Sequence, residues 1–274
     1  MSWLKKAASD TQITHGNRIW LYVFAAIVMI LLVVPTLIVI PMSFSDSQYL
    51  EFPPSKWSLR WYHEYLDSPK WMRATIKSLQ IGTLTMLVAT PIGVAAAYAL
   101  FVSGHKAARL IFMFLITPMI VPVILIAIGA FYVFGQIGIN NTVFGIVLAH
   151  TALAIPLVMI VTTSALRNYD LNQERVARSL GASRIKAFFL ITLPQIKFSV
   201  MTSALLAFLT SFDEVIISIF ISGGVNATIT KHMFSALRDY IDPTIAAIST
   251  ILVIVSTVLL LTTQYISSRE KKKK

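Results

Sequence analysis

Cysteine is absent from the 274 residues, which excludes disulfides, thiolate metal sites and a cysteine nucleophile. Charge is scarce as well. Asp, Glu, Lys and Arg make up 13% of the chain, against about 25% in an ordinary soluble domain. That shortage, with 56% apolar residues, excludes a soluble enzyme, a disordered chain and a secreted disulfide scaffold. No Gly-x-x-x-x-Gly-Lys-Ser/Thr segment occurs, so the chain has no Walker-type cradle for ATP phosphates. A Gly-x-Ser-x-Gly nucleophile elbow is also missing. The histidines, His15, His63, His105, His150 and His232, fall on separate segments without ligand spacing, so no metal site is expected.

What remains is long apolar sequence with basic edges. Residues 19–45, 78–103 and 243–268 are free of charge over 27, 26 and 26 positions, and 110–166 over 57. A membrane helix needs about 20 apolar residues. Three of these stretches therefore hold one span each, and the longest holds two around a turn at Gly135, Gly138, Asn140 and Asn141. A further apolar segment, 198–222, is interrupted only by Asp213 and Glu214. The expectation is an all-α integral membrane protein with six transmembrane helices, near 19–44, 78–102, 110–134, 142–166, 199–222 and 244–268. They form a single transmembrane domain over 1–274. The runs are continuously apolar rather than alternating, which argues against barrel strands. The first span lacks a convincing cleavage site and reads as retained.

Net charge is +11. In so apolar a chain this reads first as orienting charge and only second as nucleic-acid binding, so no nucleic-acid partner is expected. With both termini in the cytoplasm, the inside segments carry 16 Lys and Arg and the outside segments 7. Without the four terminal lysines the count is 12 to 7, in the same direction. The outside segment 46–77 holds Trp57, Trp61, Tyr62, Tyr65 and Trp71. These aromatics suit a short helix at the headgroup level, a docking surface for an external partner, or both.

The one sizeable inside segment is 167–198. Asp170 or Asn172 is placed to cap a helix with Glu174 in its first turn, and Gly181 to stop it. Ser183 is placed to cap a second short helix leading to Pro194. The physics alone leaves two readings open: an amphipathic element on anionic lipid, and a protein-docking element.

This segment resembles the EAA loop of permease subunits in type I ATP-binding-cassette importers. The matching residues are Ala177, Leu180, Gly181, Ala182 and Ser183, then Ile191-Thr192-Leu193-Pro194. Where the family has its Glu, this chain has Arg175, with Glu174 one place earlier, and the first Ala of the motif is Val176. A second likeness, over Ala207–Gly223 and Asp242–Thr250, is to the spermidine/putrescine permease group. The resemblance implies a cytoplasmic helix–Gly–helix coupling loop. Its ATPase-coupling residues would be Glu174, Arg175, Ala177, Leu180, Gly181, Ala182 and Ser183. It also implies a cytosolic ABC ATPase dimer, a second related permease and an external, periplasmic substrate-binding protein. ATP and Mg would then reside on the ATPase and no cofactor on this chain, which is itself no enzyme. The solute would be a polyamine or another amine-bearing compound, and the location a bacterial inner membrane.

Asp213 and Glu214 lie 15 and 16 residues after Phe198, about 22 Å of helical rise and past the midplane. Charges there cost roughly 2.5–3.5 kcal/mol on insertion scales and avoid lipid. Ser199, Ser203, Thr210 and Glu214 share a polar stripe at 100° per residue. Ser203, Thr210, Asp213 and Glu214 are therefore the candidates for the substrate pathway or gate. Two roles stay open: a carboxylate offered to a cationic amine, and hydrogen bonds that fix packing. An ion-coupled carrier using Asp213 and Glu214 is the alternative function, although no inverted repeat is apparent. A membrane-anchored signalling subunit is disfavoured by the short inside loops.

Overall fold

The computed structural model describes residues 14–271, with side chains as far as Thr262. The basic residues Lys5 and Lys6, and Lys272, Lys273 and Lys274, lie outside the described residues. The described chain is helical, with no strand beyond one isolated bridge between Ser45 and Trp57. Its contacts divide into two units, 1–65 with 241–253, and 66–240 with 254–274.

In the first unit, α1 (Ile19–Met42) is apolar all round and buries none of its residues, the pattern of a helix solvated by lipid. The chain then closes a tight loop. Asp46 N donates to Lys56 O (3.1 Å) and Ser58 N to Phe44 O (2.7 Å), while Phe44 packs on Trp57 and Tyr62. The short helix expected among the outside aromatics is α2 (Arg60–Asp67).

The second unit is built on α3 (Pro69–Ser103), α6 (Val143–Arg167) and α9 (Leu193–Phe212), which pack against one another. Without a hydrophobic drive between helices in lipid, close approach depends on small side chains. Ala89, Gly93 and Ala97 recur every fourth residue of α3. Ala89 joins Ala154, Val158 and Ala207 in one buried cluster. A Cβ on Gly93 would stand 2.7 Å from Val158 Cβ, so only glycine admits this spacing.

The helix bounds correct three expectations. α3 starts nine residues before the charge-free stretch, because Lys70, Arg73 and Lys77 belong to the same helix beyond its apolar part. The third expected span is two helices, α4 (Ala108–Ile116) and α5 (Val123–Gln136), bent by 89°. Pro118 and Pro122 lack the amide hydrogen a continuing helix needs and restrict the residue before them. The fifth span runs without a gap from Arg184, through a π-helical turn at Phe188–Thr192, to Phe212. It stops there rather than at 222, and the short α10 (Ile216–Ile221) follows. Then come α11 (Ile229–Asp239) and α12 (Thr244–Lys271), the last helix continuing through the expected sixth span.

Among the described residues five helices are long and apolar enough to cross a membrane, and six if the bent pair counts as one. The second unit has two ends that settle how to count. At one end Asn141 N donates to Ile221 O (2.9 Å), and Ile229 N to Ser78 Oγ (2.8 Å). At the other end stand Tyr98, Tyr169 and Thr192. α3 and α6 both lead from the first end to the second, so α4–α5, lying between them, returns the chain. The bent pair is one crossing.

Candidate functional site

The second end carries the corner at 170–192. Asp170 caps α7 (Leu171–Ser179), its carboxylate accepting from Asn172 N at 2.9 Å. The helix ends as a Schellman motif, with Gly181 N donating to Arg178 O (3.0 Å) and Ala182 N to Ala177 O (3.1 Å). The motif requires a left-handed residue, and Gly181 has φ +93°. Ser183 Oγ then accepts from Lys186 N (3.2 Å) and caps α8 (Arg184–Ala187), which flows into the π-helical turn. The expected helix–Gly–helix is thus present.

Its residues divide sharply by exposure. Leu180 is 84% exposed and Ile185 72%, with Val176 also open. Arg175, Arg178, Arg184 and Lys186, close to them in the chain, are exposed as well. Arg175 Nη1 reaches Asn172 Oδ1 at 3.3 Å. Ala177 and Ala182 are half-buried. Glu174 points the other way and is 3% exposed. Its carboxylate accepts from Tyr98 Oη (2.6 Å) and Thr192 Oγ1 (2.9 Å). Thr192 has a single hydroxyl hydrogen, which the acceptor-only carboxylate claims, so Tyr169 Oη, 3.1 Å away, donates to Thr192. Burial pushes the Tyr169 phenol up, and the Glu174 charge adds to this.

The first end holds the acidic pair. The helix stops at Phe212, so the expected stripe does not continue helically to Glu214. Ser203 is fully buried and donates to Val200 O, and Thr210 is half-buried. Asp213 is exposed in the unwound stretch after α9. Glu214 is half-buried and its carboxylate accepts from Ile217 N (3.0 Å), capping α10. Thr230 Oγ1 donates to the Glu214 carbonyl (3.0 Å). Lys231 Nζ closes the other end of α10 by donating to Ile219 O (3.0 Å) and to Ser222 O. Burial pushes the Lys231 ammonium down.

Sequence reasoning missed the contacts that join these parts. Tyr98 and Glu174 are 76 residues apart, and nothing local marks them as a pair. A second buried network joins Thr85, Ser211 and His150 across α3, α9 and α6, with Ser211 Oγ donating to Thr85 Oγ1 (3.2 Å) and lying 2.8 Å from His150 Nδ1. An ionisable residue inside a charge-free run was the one available sign of it.

A membrane bundle of six crossings with a helix–Gly–helix corner at one end is the architecture of an ABC importer permease. A chain in the crystal structure of a bacterial ABC transporter involved in the import of the acidic polysaccharide alginate has this fold, with a TM-score of 0.65, covering 94% of this chain and 98% of that one at 15% identity. The family described as binding-protein-dependent transport system inner membrane component matches residues 89–272, and the chain belongs to it. Its relatives include the putrescine transport system permease protein PotI of Escherichia coli (strain K12), 31% identical over 240 residues, 85% of each chain. The spermidine/putrescine transport system permease protein PotC of Haemophilus influenzae is 27% identical over 247 residues, 90% of this chain and 95% of that one. The protein is a multi-pass inner membrane permease component, a transport subunit and not itself a catalyst.

Proposed function

We propose that this chain forms half of the pathway by which an ABC importer moves a polyamine or another small amine-bearing compound. In this reading a second, related permease forms the other half. A cytosolic ATPase dimer, holding ATP and Mg, docks on the 170–192 corner. An external binding protein delivers the solute. The observation that carries the reading is the corner itself. It is closed rigidly through Gly181, yet leaves Val176, Leu180 and Ile185 exposed among four basic side chains. An apolar knob with a basic rim suits insertion into a groove on a protein partner. The amine-bearing solute is inferred from the relatives named for putrescine and spermidine transport.

The test is co-purification followed by uptake. The subunit should bring down a stoichiometric ATPase, and proteoliposomes holding the whole complex should take up putrescine only with ATP inside and binding protein outside. Uptake by this chain alone under a proton or Na⁺ gradient would instead establish the ion-coupled carrier.

A further inference from the structure

We infer that Glu174 is a positioning residue that pins the exposed corner to the membrane helices, so that movement of α7 is passed directly to α3 and α9. The inference rests on the proposed docking of an ATPase at that corner.

Three elements converge on one sealed carboxylate. Tyr98 comes from the last turns of α3, 2.6 Å away; Thr192 ends the π-helical turn that feeds α9, 2.9 Å away; Tyr169 supports Thr192 from the connection between α6 and α7. The carboxylate is held by hydroxyls, with no ion pair to it among the described residues. Hydrogen bonds to an ionised group are short and strong, and a buried carboxylate that loses them has nowhere to turn. α7 therefore cannot slide without carrying the Tyr98 and Thr192 oxygens along. The remaining attachments of α7 do not fix direction in this way. Leu171 packs at the edge of the apolar cluster around Met159 and Leu166, and Gln195 Nε2 donates to Gln173 Oε1 at the surface. The π-helical turn has a part as well. It widens the helix just before Leu193 and sets Thr192 on the buried side, and such turns recur at functional positions. Docking then falls to the outward residues Val176, Leu180 and Ile185, while Glu174 connects the corner inward.

The test removes the hydroxyls and keeps the shapes, with Tyr98→Phe and Thr192→Val combined. Since the chain has no cysteine, Ser103→Cys and Ser179→Cys give unique spin-label sites on α3 and α7. In the purified full-length subunit the label pair should show one narrow distance, and the double variant a broad distribution. In the assembled complex the variant should still hydrolyse ATP, but solute moved per ATP should fall by at least about tenfold, since two hydrogen bonds to a charged group are lost and each commands roughly that factor. A merely stabilising contact would lower yield and leave that ratio unchanged. A narrow distribution in the variant, or an unchanged ratio, overturns the inference. If the double variant is not recovered from membranes, Tyr98→Phe alone is read by the same two measurements. If the unmutated subunit recruits no ATPase, the proposed function fails, while the label distances still decide whether Glu174 pins the corner.

Discussion

At Gly181 the backbone, not the surroundings, excludes other side chains. An added Cβ would meet nothing within 4 Å, yet φ is +93°. Side chains in the left-handed region cost roughly 1–2 kcal/mol, and Asn tolerates it best. Gly181→Leu should therefore leave the subunit in the membrane but abolish substrate-stimulated ATP hydrolysis in the assembled complex, whereas Gly181→Asn should retain most of it. Normal stimulation in Gly181→Leu would remove Gly181 from the docking corner. The acids after α9 divide in a way that spacing alone could not show. Asp213 stands exposed in the unwound stretch after α9. Glu214 caps α10 through an oxygen that Gln also possesses. Asp213→Asn should then spare complex yield, and Glu214→Ala should lower it, since losing a capping oxygen costs about 1 kcal/mol. Glu214→Gln keeps the cap and removes only the charge. Uptake of a cationic solute per assembled complex should fall in that variant if the carboxylate meets the solute. Equal uptake would leave Glu214 a capping residue only.

At the scale of helices, the packing of α3 on α6 offers a matched pair of substitutions. Gly93→Ala forces a Cβ to 2.7 Å from Val158, whereas Gly129→Ala on α5 meets nothing within 4 Å. Overpacking costs typically about 1–3 kcal/mol, and relieving a helical glycine gains roughly 0.5–1 kcal/mol. Thermal melting of the purified subunit in detergent should fall for the first and hold or rise for the second; equal midpoints would show that α3 and α6 yield freely. The spans were legible in the sequence because lipid demands uniform apolarity, so gaps in charge mark membrane. For the same reason those gaps do not mark helix ends. Lys70 and Arg73 lie within α3 although outside its apolar part. The 89° bend between α4 and α5 leaves composition unchanged, and only Pro118 and Pro122 hinted at it. The cap at Asp170 and the stop at Gly181 could be read because capping is local. The inward turn of Glu174 could not, since its partners come from distant α3 and from the approach to α9.

For the whole molecule the crossing made by the bent pair sets which side of the membrane each loop faces. Between Ser55 and Ser179 the chain passes through α3, α4–α5 and α6. If α4–α5 crosses, the count is odd and the two serines face opposite sides. If the pair dips in and returns, the count is even and they face the same side. The contacts at the two ends of the second unit favour a crossing, as does the excess of Lys and Arg, 16 against 7, on the segments assigned to the inside. Ser179 serves better than Ser183 as the inner site, because Ser183 Oγ caps α8, whereas Ser179 Oγ only returns to Arg175 O within its own helix. In this cysteine-free chain each introduced thiol is unique. Ser55→Cys should react with a membrane-impermeant maleimide in intact cells whose outer envelope is opened, and Ser179→Cys only after the inner membrane is permeabilised. Labelling of both from outside would make α4–α5 a re-entrant pair and would place the Gly181 corner where no cytosolic ATPase could reach it.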